Sequence, residues 1–117
     1  MGYLTTHVLD TTHGAPGAGL RIDVYRIDSG NRQHLATLTT NDDGRADAPV
    51  LANDAFTAGQ YELVFHAGAY FRARGVRLPE PAFLEDVVVR LGVASPDEHY
   101  HVPLLVSPYA YSTYRGS

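Results

Sequence analysis

Leu20-Arg21-Ile22-Asp23-Val24 alternates apolar and charged side chains one by one, and the pattern runs on to about Ile27. A period of two is the signature of a half-buried strand, because successive side chains in an extended chain point to opposite faces. The same period recurs around Tyr61, Leu63 and Phe65 in the stretch from Gln60 to His66. Working outward from these two stretches, turn residues punctuate the chain at short intervals. Gly14, Pro16, Gly17 and Gly19 end a Thr-rich run from Tyr3 to Leu9, and Ser29-Gly30-Asn31 follows the Leu20 strand. Leu35 to Thr40 is closed by Asn41-Asp42-Asp43-Gly44, whose Asp-Gly step suits a tight turn. Val87 to Val93, Val102 to Val106 and Tyr109 to Tyr114 read as further strands. Only Ala67 to Gly75 has helical composition, with Gly75 as its stop and Pro79 and Pro81 barring a restart. Seven or eight short strands with this turn spacing predict a single all-β domain over residues 1–117, an antiparallel sandwich or barrel.

Composition narrows the function. In 117 residues there are 9 basic side chains, all of them Arg, against 13 acidic ones and no Cys. Disulfides, thiolate nucleophiles, cysteine zinc clusters and Schiff-base lysines are thereby excluded. A formal charge of −4 argues against nucleic acid as the main partner. No apolar run approaches the roughly 20 residues of a membrane span. Met1 to His7 lacks the basic-then-apolar build of a signal peptide, so the cytoplasm is the default expectation. No Gly-rich phosphate loop suggests an organic cofactor, and none is expected.

Several polar residues are too chemical for plain surface duty. In Glu98-His99-Tyr100-His101, strand parity sends His99 and His101 to one face. Two exposed histidines at a strand entrance would satisfy the pattern, as would two ligands of a zinc site completed by His7. Pro103 cannot donate to a ladder, which predicts a strand at a sheet edge or near an interface. His7 lies mid-strand and fits either a structural histidine or a catalyst. Arg45 follows the Asn41–Gly44 turn, as a solvated charge or as a planar clamp for anionic oxygens. His13, His34 and His66 read as structural or surface residues. The tail from Tyr109 to Ser117 is rich in Tyr, Ser and Thr. Parity puts Ser112, Tyr114 and Gly116 on one face, and Thr113, Arg115 and Ser117 on the other.

Thr6-His7-Val8-Leu9-Asp10, Asp43-Gly44-Arg45, His99-Tyr100-His101-Val102-Pro103-Leu104-Leu105 and the terminal Tyr114-Arg115-Gly116-Ser117 occur in this order along the chain. Together they resemble the 5-hydroxyisourate hydrolases, the transthyretin-related enzymes of urate catabolism, over essentially Tyr3 to Ser117. The resemblance implies a transthyretin-like (prealbumin-like) sandwich of two four-stranded sheets with one short helix. It implies a homotetramer, a dimer of dimers with active sites where the dimers meet. It also implies hydrolytic opening of the six-membered ring of 5-hydroxyisourate. His7, Arg45 and His101 map onto the catalytic set, Tyr114 contacts substrate, and Ser112 is a candidate for the cleft wall, without metal or cofactor. His99 belongs to the matched motif without an assigned role. Leu78 to Asp86 and Ala110 depart from the family pattern outside that set. A non-catalytic transthyretin-like carrier is the second reading, and paired histidines with Arg45 are what speak against it.

Overall fold

The computed structural model describes residues 2–117. Strands β1 (Tyr3–Asp10), β2 (Ala15–Pro16), β3 (Arg21–Asp28), β4 (Asn31–Thr39) and β5 (Leu51–Ala52) precede a 3-10 turn at Asn53–Ala55. β6 (Gly59–Phe65), helix α1 (Ala67–Ala73), β7 (Val87–Val93), β8 (His99–Ser107) and β9 (Ala110–Thr113) complete the chain. One sheet has the order β2-β1-β8-β9, with the two-residue β5 also pairing with β1, and the other has the order β4-β3-β6-β7. The predicted strands are all present. The two shortest, β2 and β5, lie inside stretches that read only as turn or loop, and β4 and β8 begin earlier than their apolar runs.

Alternation builds the core. Leu4, Thr6, Val8 and Asp10 of β1 and Tyr100, Val102, Leu104 and Val106 of β8 face inward and are buried. They meet Ile22 and Val24 of β3 and Leu63 and Phe65 of β6 from the opposing sheet. Helix α1 closes one end with Tyr70 and Phe71. Asp10, the polar end of the buried β1 row, is satisfied there by the Tyr70 hydroxyl at 2.7 Å and by His13 Nδ1 at 2.5 Å. Buried carboxylates require such partners, and here they stitch the helix to β1.

The pairing of β1 with β8 is parallel, with Tyr3 opposite His99, Thr5 opposite His101 and His7 opposite Pro103. The odd-numbered residues of both strands therefore share the outer face of the sheet. β8 lies between β1 and β9, so the edge position expected from Pro103 is not found. The proline is accommodated on the β9 side. Its register partner there would be Tyr114, and at that point the β8–β9 ladder lapses after Thr113, resuming only at the His101–Gly116 bridge. The Pro103 carbonyl is kept in use by the Thr113 hydroxyl at 2.7 Å.

Candidate active site

A cleft of about 390 Å³ opens on this outer face, lined among others by Thr5, Arg45, Asp47, His99, His101 and Ser117. That volume suits a small-molecule site. Arg45 reaches it through the turn that precedes it. Asn41 Oδ1 accepts the backbone N–H groups of Asp43 and Arg45 at 2.9 and 3.1 Å, which closes the loop on itself. Gly44, at φ +78°, then lies so close to β1 that a Cβ would stand 2.4 Å from the Val8 carbonyl oxygen. Only glycine combines that backbone with that approach. The loop docks through the Val8 N–H to Gly44 carbonyl bond of 2.8 Å, and Arg45 forms an antiparallel bridge with His7.

His7 Nε2 is 2.9 Å from the Asp43 carbonyl oxygen. A carbonyl only accepts, so Nε2 carries the proton and Nδ1 is the basic nitrogen of neutral His7. On β8, His101 Nδ1 is 2.8 Å from the Thr5 hydroxyl, and His99 Nε2 is 2.7 Å from the same oxygen. His99 stacks on the Tyr3 ring, with centroids 4.2 Å apart. Burial, and then the nearby charges of Arg45, His99 and His7, push the His101 imidazole below its ordinary value of 6.5. A neutral imidazole beside a guanidinium supplies a proton acceptor next to a clamp for anionic oxygens.

His7 does not itself line this cleft but stands beside it through its bridge to Arg45, and the remaining expected residues fall in separate hollows. Tyr114, 60% exposed, shares a second cavity with His101, on the side of Tyr100 and Arg115. Ser112 lines a shallow depression with Leu105, Ser107 and Ala110. Parity turned Ser117 away from Tyr114, yet Ser117, the residue after the His101–Gly116 bridge, lines the Arg45 cleft. Thr5 and Tyr3 were not singled out by the sequence; the only signal for Thr5 was its place two residues before His7 on the outer row. His7, His99 and His101 do not make up the zinc site considered above: among the described residues no three His, Asp or Glu side chains are grouped to hold a metal. His13, His34 and His66 are structural, tied to Asp10 and Asp23.

Residues 4–116 match the HIUase/Transthyretin family. The chain is 62% identical over 117 residues to the 5-hydroxyisourate hydrolase of Pseudomonas aeruginosa, covering 100% of this chain and 93% of that one. Among solved structures it is similar to (S)-allantoin synthase (TM-score 0.93, 45% identity, 99% of this chain), of which it spans only 44%. It is also similar to 5-hydroxyisourate hydrolase of Klebsiella pneumoniae, with a TM-score of 0.83 and 33% identity over 100% of both chains. With two sheets packed face to face, histidines on the outer row of β1 and β8, and a match running nearly end to end, the chain belongs to the HIUase/Transthyretin family.

Proposed function

We propose that this protein hydrolyses 5-hydroxyisourate, opening its six-membered ring to 2-oxo-4-hydroxy-4-carboxy-5-ureidoimidazoline in urate catabolism. The observation that carries this reading is the His7–Arg45 bridge beside His101, in a chain 62% identical throughout to a protein named for that activity. Arg45 binds the urate-like oxygens and offsets negative charge as it builds on the attacked carbonyl. His101 and His7 take a proton from water and return one to the departing ring nitrogen. Water is the nucleophile: Cys and Lys are absent, and Ser and Thr are alternatives that no sequence pattern supports. Tyr114, across the His101 ring from the cleft, orients the substrate, and Ser112 stands further out on the same row. No metal or organic cofactor takes part in this scheme.

The same reading makes the active form a homotetramer, a dimer of dimers in which clefts meet across the dimer–dimer interface. Support comes from the exposed aromatics Tyr109, Tyr111 and Tyr114 on and beside β9, an apolar concentration that an isolated chain leaves in water. Sedimentation at micromolar concentration tests this; a monomer would refute the assembly. The activity test generates 5-hydroxyisourate from urate with urate oxidase and follows its absorbance decay with and without the protein. Acceleration is expected, and His7→Asn and His101→Asn each lower kcat/KM by about 10²- to 10⁴-fold. Decay at the spontaneous rate in the presence of wild-type protein would refute the activity.

A further inference from the structure

One hydroxyl serves two histidines. Thr5 Oγ1 lies 2.7 Å from His99 Nε2 and 2.8 Å from His101 Nδ1. The parallel register of β1 and β8 produces this: Thr5 is opposite His101, and His99 projects from the same face two residues earlier. A hydroxyl has a single proton and two acceptor lone pairs. Where Oγ1 donates to one ring it accepts from the other. The tautomers of His99 and His101 are therefore coupled through Thr5. When His101 presents a bare Nε2, its proton is on Nδ1 and points to Thr5, and Thr5 donates to His99.

Building on the hydrolase reading, we propose that Thr5 and His99 are positioning residues that form a proton relay behind His101. In the resting chain His101 is the Nδ1–H tautomer and its Nε2 lone pair faces a water in the cleft. The water O–H bond breaks as its oxygen attacks the ring carbonyl, and the proton goes to His101 Nε2. The Nδ1 proton of His101 moves to Thr5 Oγ1, and the Thr5 hydroxyl proton moves to His99 Nε2. His101 ends neutral as the Nε2–H tautomer, and the positive charge rests on His99. As the C–N bond breaks, its electron pair stays on nitrogen. That nitrogen takes the proton from His101 Nε2, and the relay runs back, leaving His99 neutral.

Two observations favour this direction. Burial first, and then the charges of Arg45, His99 and His7, disfavour a cation on His101 itself. His99 lies parallel to the Tyr3 ring with an interplanar angle of 17°, and the electron-rich face of an aromatic ring stabilises a cation above it. The relay also accounts for a histidine pair that the three-residue catalytic set leaves half used.

The experiment compares wild type with Thr5→Val, Thr5→Ser and His99→Gln in the full-length protein, by steady-state kinetics and by ring ¹⁵N NMR. Valine keeps the shape of threonine and loses the hydroxyl. It is expected to lower kcat at least about tenfold with KM within about twofold, whereas serine keeps kcat within about threefold. His101 is expected as the Nδ1–H tautomer in wild type, with that preference lost in Thr5→Val. Thr5→Val with wild-type kcat, serine as impaired as valine, or an Nε2–H resting tautomer of His101 would each overturn the relay. Should Thr5→Val not fold, His99→Gln decides: a tenfold loss of kcat supports the relay and wild-type kcat refutes it. An inactive wild type would instead defeat the functional reading itself, whereas an active wild type with an equally active Thr5→Val defeats the relay alone.

Discussion

Gly116→Ala isolates the positioning of His101 from the stability of the fold. The Gly116 N–H donates to the His101 carbonyl at 2.8 Å, and a Cβ added at Gly116 would stand 2.6 Å from His101 Cδ2 and 3.2 Å from Cγ. Ordinary van der Waals contact begins near 3.4 Å, so the new methyl intrudes by about 0.8 Å. Gly116 is not among the positive-φ residues, so alanine brings no backbone strain and the conflict falls on the imidazole. The ring cannot simply swing aside, because Thr5 holds Nδ1 from the other flank. A displacement approaching 1 Å at a reacting group lowers rate by up to about 10²-fold. We expect kcat/KM to fall about 10- to 100-fold, equivalent to about 1.4–2.7 kcal/mol of transition-state stabilisation. Gly116 is partly exposed in the last turn of chain, so unfolding free energy should change by no more than about 0.5 kcal/mol. The urate oxidase-coupled decay assay and a thermal melt read the two quantities. Combining Gly116→Ala with His101→Asn should add little to His101→Asn alone, since both act on the same ring. Gly116→Ala with kcat/KM within twofold of wild type, or a loss fully additive with His101→Asn, would refute the reasoning.

Burial first, and then Arg45, His99 and His7, hold the His101 imidazole below 6.5, so the acid limb of kcat/KM should lie below that value. Arg45→Met removes one of the repelling charges and should move that limb upward while lowering kcat/KM; a limb that stays put or moves down contradicts the assigned proximity. Gly44→Ala puts a Cβ 2.4 Å from the Val8 carbonyl at φ +78°, and should impair activity by displacing Arg45, visible as a rise in KM relative to wild type. Asp23 is buried and its carboxyl is held well below the usual carboxylate range, first by the Thr37 hydroxyl, then by His66 and, against the pull of burial, by His34 and Arg21. Its stabilising contribution is present above the unfolded value near 3.9 and fades as pH falls toward the folded value. Asp23→Asn should therefore destabilise by about 1–3 kcal/mol at neutral pH in denaturant titrations, with the gap to wild type narrowing below pH 4. Phe71→Ala, removing a fully buried ring from the core cluster, should lower stability by about 3–5 kcal/mol; less than 1 kcal/mol would contradict its place in the core.

What the chain states locally is the strand content and the face each side chain takes. Arg21-Ile22-Asp23-Val24 and Tyr61 to Phe65 are legible because period-two alternation needs no knowledge of the partner strand. Parity likewise placed His99 and His101 together before any neighbour was known. Three features lay beyond that reach. Thr5 comes between His99 and His101 only because β1 pairs in parallel with a strand 96 residues away, at one register among several that local alternation permits. Pro103 suggested an edge or a nearby interface; the edge is not found, because the ladder opens at Tyr114 and β8 stays inside its sheet. Ser117 enters the cleft beyond the last bridge, His101–Gly116, where no pairing fixes the face of the chain. Local pattern records which face of a strand is buried; register and partner are chosen by the packing of Leu4, Val8, Leu104 and Val106 against the opposing sheet. That choice is collective, and it is what brings Arg45 and His101 to one cleft, with His7 beside it through its bridge to Arg45.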